Sequence, residues 1–197
     1  MSLYKQQREQ VRQTIIDTSI SLFKVKGYEN VAVEDITKAV GIAKGTFYNF
    51  FPSKANILLL WIEQKFREMN IDQIGNKEKS MEESLQCFIK KLLAAVKDEQ
   101  SLFVSVLEEY INLHYEESAK ERLDFKKILH RVIAGSKDYT DIGSDYMDLK
   151  LKVLSRSLFL EMINWYYSMK TLEGLEEQLE KVLKICLYGL LRNIDDL

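Results

Sequence analysis

Proline is almost missing. Pro52 is the only one in 197 residues, and there are eight glycines. With so few helix breakers, long helices and an all-α fold are expected. Cysteine is equally scarce. Cys87 and Cys186 lie far apart, each inside an apolar helical pattern, and read as two buried thiols. No CxxC occurs and the only histidines are His114 and His130. That argues against a zinc site or a disulfide framework and fits a reducing cytoplasm, with no cofactor expected. The longest fully apolar run, Ile57 to Ile62, is far shorter than a membrane span. The polar stretch from Met1 to Gln10 has no apolar signal core, so a soluble protein without membrane attachment is expected. There is no HExxH, no ExxH and no phosphate-binding glycine loop, and no serine has a convincing histidine partner. An all-α enzyme is therefore the weaker reading.

The overall charge of −2 hides an asymmetry. Residues 1–54 hold eight Lys/Arg against five Asp/Glu, a net +3, whereas the remainder holds 20 against 25, a net −5. A basic head on an acidic body suits a protein that meets phosphate at one end.

Periodicity predicts the helices. The first runs from about Glu9 to Lys26 on Val11, Ile15, Ile16, Ile20, Leu22 and Phe23, and stops at Gly27. A short second helix spans about Val33 to Val40, with Glu34 and Asp35 in the first turn, where the helix dipole favours acids. Gly41 ends it, Ile42 plugs the turn, and a third helix starts near Lys44 and stops before Pro52. Ser53 is placed to cap a fourth helix carrying Ile57, Leu58, Trp61, Ile62, Phe66 and Met69. Polar residues around Asp72 to Ser80 mark a boundary. The expected division is a head of residues 1–54, a connecting helix of about 54–70 and a body of 72–197. Apolar patterns in the body predict further helices, about nine in the whole chain. Gly135 to Asp148 reads as a loop, and two strong helices close the chain, the last carrying Leu175 through Leu190, Leu191 and Ile194.

Two short helices joined by a tight glycine turn form a helix-turn-helix, whose second helix can enter the major groove. In Ala43-Lys44-Gly45-Thr46-Phe47-Tyr48-Asn49-Phe50, the spacing sends Phe47 and Phe50 backwards and leaves Lys44, Thr46, Tyr48 and Asn49 to face DNA. Gly45 lets the backbone come close to a phosphate.

The segment resembles the DNA-binding domain of the TetR family. Ile16, Leu22-Phe23, Gly27-Tyr28, Val33, Asp35-Ile36, Ala39, Gly41-Ile42, Lys44-Gly45-Thr46-Phe47-Tyr48, Phe51-Pro52-Ser53-Lys54 and Leu58 carry the likeness. It covers about a quarter of the chain. The resemblance implies an N-terminal three-helix helix-turn-helix domain and a C-terminal helical domain for ligand binding and dimerisation. Lys44, Gly45 and Thr46 would start the recognition helix at the groove. Tyr48 would reach a phosphate, Asn49 a base or phosphate, and Lys54 a phosphate at the start of helix four. Val31-Ala32 and Ala43 depart from the pattern, standing where members usually carry capping Ser or Thr.

The functional expectation is a sequence-specific transcriptional regulator, a repressor released by ligand. As a homodimer paired through its last two helices, it would read a palindromic operator in double-stranded DNA. The aromatic-rich body suits an apolar or aromatic small molecule. Phe103, Tyr110, His114, Phe125, Met162, Trp165 and Tyr166 are the candidate contacts, competing with the simpler role of core filling. A constitutive helical DNA-binding module without ligand is the other alternative.

Overall fold

The computed structural model describes residues 3–113, 124–140 and 144–188, and among these every regular element is helical. The α-helices are α1 (Leu3–Lys26), α2 (Val33–Val40), α3 (Lys44–Tyr48), α4 (Ala55–Glu68), α5 (Met81–Val96), α6 (Gln100–Leu113), α7 (Phe125–Ile133), α8 (Ser144–Met169) and α9 (Leu175–Tyr188). None is long and apolar enough to cross a membrane. Two compact units emerge. One comprises Met1–Gln64 with Ser101–Asn112, and the other Lys65–Gln100 with Leu113–Leu197.

In the first unit α1 packs on α2 and α2 on α3. Ile15, Phe23, Ile36, Phe47, Phe51, Ile57 and Leu58 form its core, with Phe103 and Val106 of α6 also buried. Each such side chain contributes about 1.5–3 kcal/mol on leaving water. The sequence places α2 correctly because its signals agree. Asp35 Oδ2 accepts from the Ala32 N–H at 2.9 Å, while Ala32 itself has no side-chain acceptor to complete the cap. At the other end Gly41 takes φ 78°, the left-handed conformation that suits glycine, and its N–H reaches Thr37 O at 2.9 Å.

Four expectations need correction. Helix α1 begins at Leu3, two turns before the apolar pattern, because its Lys, Gln and Arg are good helix formers with no need of burial. Ser53 does not accept at the start of α4. Its N–H and hydroxyl both donate to Asn56 Oδ1, at 2.9 and 3.1 Å. Phe51 is buried and Phe50 only half-buried, so the inward aromatics are Phe47 and Phe51, four residues apart on one face. Finally, Ser144–Asp148 is helical rather than loop.

In the second unit α5 packs on α7 and α9, and α8 on α7 and α9. The start of α5 is well capped: Ser80 accepts from the Glu83 N–H at 3.1 Å, and Glu83 accepts from the Ser80 N–H at 2.6 Å. Two backbones cross at Gly75 and Gly135. A Cβ on Gly75 would lie 2.1 Å from Val132 O, and one on Gly135 2.3 Å from Gly75 O, so neither position admits a side chain. The hydroxyls of Ser84 and Ser136, both fully buried, meet at 2.8 Å beside this crossing. The two tryptophans are divided, Trp61 in the first unit and Trp165 in the second.

Candidate nucleic-acid interface

The interface is built on α3, a helix of five residues. Phe47 is fully buried, with its ring centroid 5.8 Å from Phe51 and 5.6 Å from Tyr48. That anchor fixes the rotation of so short a helix and leaves Lys44, Gly45, Tyr48 and Asn49 exposed, with Thr46 half-buried. Tyr48 keeps 47% of its surface in solvent. Ala43 stands at the N-cap without an acceptor, and Thr46 and Phe47 donate to its carbonyl at 2.9 and 3.3 Å. Gly45 lies inside the helix, and a Cβ there would meet nothing within 4 Å. The fold therefore does not require glycine at that position.

Lys44 forms an ion pair with Glu34 of α2, ten residues earlier. Hydrogen bonding to each other raises the Lys44 pKa and lowers that of Glu34. The Lys44 ammonium also lies 6.0 Å from the Tyr48 ring centroid. Nothing in the sequence spacing announces this pair across the turn.

Lys54, expected at a phosphate, is engaged within the DNA-free protein. Its ammonium donates to the carbonyls of Tyr28 at 2.8 Å and Val31 at 3.0 Å, and sits 4.1 Å from the Tyr28 ring centroid. Two of its three N–H bonds are thus engaged within the protein. The Tyr28 ring packs edge-on against Phe23 at 5.0 Å, and its hydroxyl donates to Glu109 Oε1 of α6 at 2.7 Å. Burial first, then this bond to a carboxylate, pushes the Tyr28 phenol far above its ordinary pKa. Lys54, Tyr28 and Glu109 together pin the turn between α1 and α2, and so the platform behind α3. Val31, one of the departures from the TetR pattern, is buried, with its carbonyl as part of that pin.

A sequence model described as bacterial regulatory proteins of the tetR family matches residues 15–60, the stretch that holds α2, α3 and their platform. Over that stretch the chain is similar to the DNA-binding segment of TetR-family regulators. It is a DNA-binding transcriptional regulator. Among relatives, the biofilm operon icaADBC negative transcriptional regulator IcaR of Staphylococcus aureus is 28% identical over 92% of the chain and 97% of its own length. The transcriptional regulator YuxN of Bacillus subtilis is 37% identical over 34% of the chain, a match spanning only 24% of YuxN. Among solved structures, the TetR-family repressor FadR of Thermus thermophilus in complex with lauroyl-CoA superposes with a TM-score of 0.71 at 21% identity, covering 92% of this chain and 96% of that one. A TetR regulator from Rhodococcus sp. RHA1 gives 0.69 at 17%, covering 92% and 98%. At these identities the structural likeness establishes the fold.

The candidate ligand residues are dispersed. Phe103 is buried and Tyr110 half-buried in α6, within the first unit. Phe125, Met162, Trp165 and Tyr166 belong to the second. His114 lies outside the described residues, as do Tyr115 and, in the last helix, Leu190, Leu191 and Ile194. Phe125 is buried with its ring 6.1 Å from Phe88, which in turn lies 6.2 Å from Phe66. Met162 is buried, and Tyr166 is half-buried with its ring 6.5 Å from Tyr167. Trp165 is half-buried, yet its Nε1 is sequestered with no hydrogen-bond partner among the described residues.

Proposed function

We propose that this chain is a homodimeric repressor that binds a palindromic operator through Lys44, Gly45, Thr46, Tyr48 and Asn49, and leaves it when a small apolar molecule occupies the body. The observation that carries the reading is α3 itself: an exposed polar face held by the fully buried Phe47. On DNA, Lys44 exchanges Glu34 for a phosphate, Tyr48 reaches a second phosphate, and Asn49 meets a base edge or the backbone. Lys54 acts from behind, holding the platform.

Dimerisation is supported by α8. Tyr146, Leu149, Val153, Leu160 and Tyr167 are exposed and, at 100° per residue, fall within about 60° of arc. The buried residues Leu151, Leu154, Leu158 and Met162 occupy the opposite side. A helix apolar on two opposed faces has one core and needs another. A second copy supplies it and carries the second recognition helix, about 34 Å from the first, into the next turn of major groove.

The repressor reading draws on the likeness to IcaR, named a negative regulator. For the effector, the Trp165 N–H, which has no partner among the described residues, marks a donor for an acceptor, since an unmet buried donor costs about 1–3 kcal/mol. FadR was solved with lauroyl-CoA, and an acyl thioester offers both a carbonyl and an apolar chain. The protein would work in the cytoplasm, where its operator is.

The test is selection of duplexes from a random-sequence pool, followed by titration of the complex with lauroyl-CoA and with aromatic acids. The expected product is a palindrome with half-sites one helical turn apart, released by one of these ligands. Failure to enrich any palindrome overturns the operator assignment. Enrichment with no release by either ligand class overturns the effector assignment.

A further inference from the structure

Both cations that the family pattern offers to DNA are engaged inside the free protein, Lys44 by Glu34 and Lys54 by two carbonyls. DNA binding at ordinary salt needs several phosphates neutralised. Further positive charge beside the recognition helix would add to what Lys44 gives once it leaves Glu34, and α1 carries Arg8 and Arg12 there.

The first turns of α1 border both ends of α3. On one side, Gln7, Gln10, Val11 and Thr14 share an open cleft of about 500 Å³ with Val40 and Ile42, the residues leading into α3. On the other, the guanidinium of Arg8 sits 5.6 Å from the ring centroid of Phe50, just past the end of α3, and that of Arg12 sits 5.5 Å from Phe51. Arg12 is also paired with Glu9 at 3.3 Å. Arg8 is exposed, and no carboxylate among the described residues pairs with it. A guanidinium resting on an aromatic face loses little of its hydrogen-bonding fork, which matches a phosphate. The C-terminal end of a recognition helix also carries the negative end of its dipole, so a cation there offsets repulsion from the DNA backbone.

We propose that Arg8, held on Phe50, binds a DNA phosphate beside the recognition helix, seven residues ahead of the segment that the family pattern covers. Arg8 is thus a binding residue for the backbone rather than for base sequence. The proposal rests on the DNA-binding reading above and deepens it.

The experiment uses the full-length protein and a fluorescent duplex enriched by the wild type from a random pool. Kd is measured across a salt series for the wild type, Arg8→Met and Arg8→Lys. Arg8→Met keeps an apolar stem over Phe50 and removes the charge. Each lost phosphate contact lowers the salt slope by about 0.9, so a dimer loses about 1.8, and its affinity deficit shrinks roughly 12-fold between about 50 and 200 mM salt. Arg8→Lys is expected to keep the slope, and both variants the wild-type melting temperature. An unchanged slope in Arg8→Met at unchanged melting temperature overturns the proposal. So does a salt-independent loss accompanied by a lowered melting temperature, which would make Arg8 a packing residue. If the wild type enriches no duplex, the DNA-binding reading falls first and takes this inference with it.

Discussion

The head and α8 solve burial in opposite ways. In the head, α1, α2, α3 and the segment after α3 place Phe23, Ile36, Phe47 and Phe51 inside, and the exposed side of α3 is left to Lys44, Tyr48 and Asn49. Helix α8 has a buried side of its own, yet Leu149, Val153 and Leu160 remain more than half exposed on the other. The head is complete as a folded object and is unfinished only electrostatically. The α8 surface is unfinished in its packing. On the proposed reading the first meets a polyanion and the second an apolar surface, and surfaces so different in chemistry would not compete for one partner.

The largest effect should come from making the two regions alike. Replacing Leu160 by Glu places a charge on the α8 stripe, where 57% of the leucine is exposed and little intramolecular packing is lost. Sedimentation should then show monomers of near-native helicity, and operator affinity should fall by about 100-fold or more as the second head is lost. A variant that stays dimeric would mean that α8 pairs nothing. A middle-sized effect is expected from Lys54→Ala, which removes two charge-assisted hydrogen bonds to carbonyls behind α3. Stability should drop by about 1.5–3 kcal/mol by denaturant melting. If instead the variant is as stable as the wild type and the salt slope falls, Lys54 binds phosphate and the division between platform and contact residues is misplaced.

The smallest effect is the most discriminating. Gly45 sits within a helix where a methyl group meets nothing. Gly45→Ala should therefore raise stability by about 0.5–1 kcal/mol while weakening operator binding, because the added carbon stands between backbone and DNA. A gain in both properties would show that α3 does not approach the duplex at this residue.

Local signals made the head legible. Gly41, the acids of the first turn and the apolar spacing all fix α2, and Pro52 bounds the segment after α3. Where no such signal exists the sequence misled. Residues 4–8 are exposed and so show no apolar periodicity, which hid the start of α1 and with it Arg8. The contacts behind α3 were opaque for another reason. Lys54 meets backbone carbonyls, which carry no residue-type signature, and Glu34 finds Lys44 only because Gly41 turns the chain back. In the body, aromatics were visible as a class, but their division between core and ligand contact depends on three-dimensional neighbours. Among the described residues, the nitrogen of Trp165, buried without a partner, distinguishes one of them.

That the two indoles fall in different units has a practical consequence. Trp61 is buried in the first and Trp165 half-buried in the second, so each unit contains its own optical probe. A chain with Trp61→Phe would report emission from the body alone, and one with Trp165→Phe from the head alone. Stopped-flow traces of the pair would then time the arrival of an effector separately from the response of the DNA-binding half.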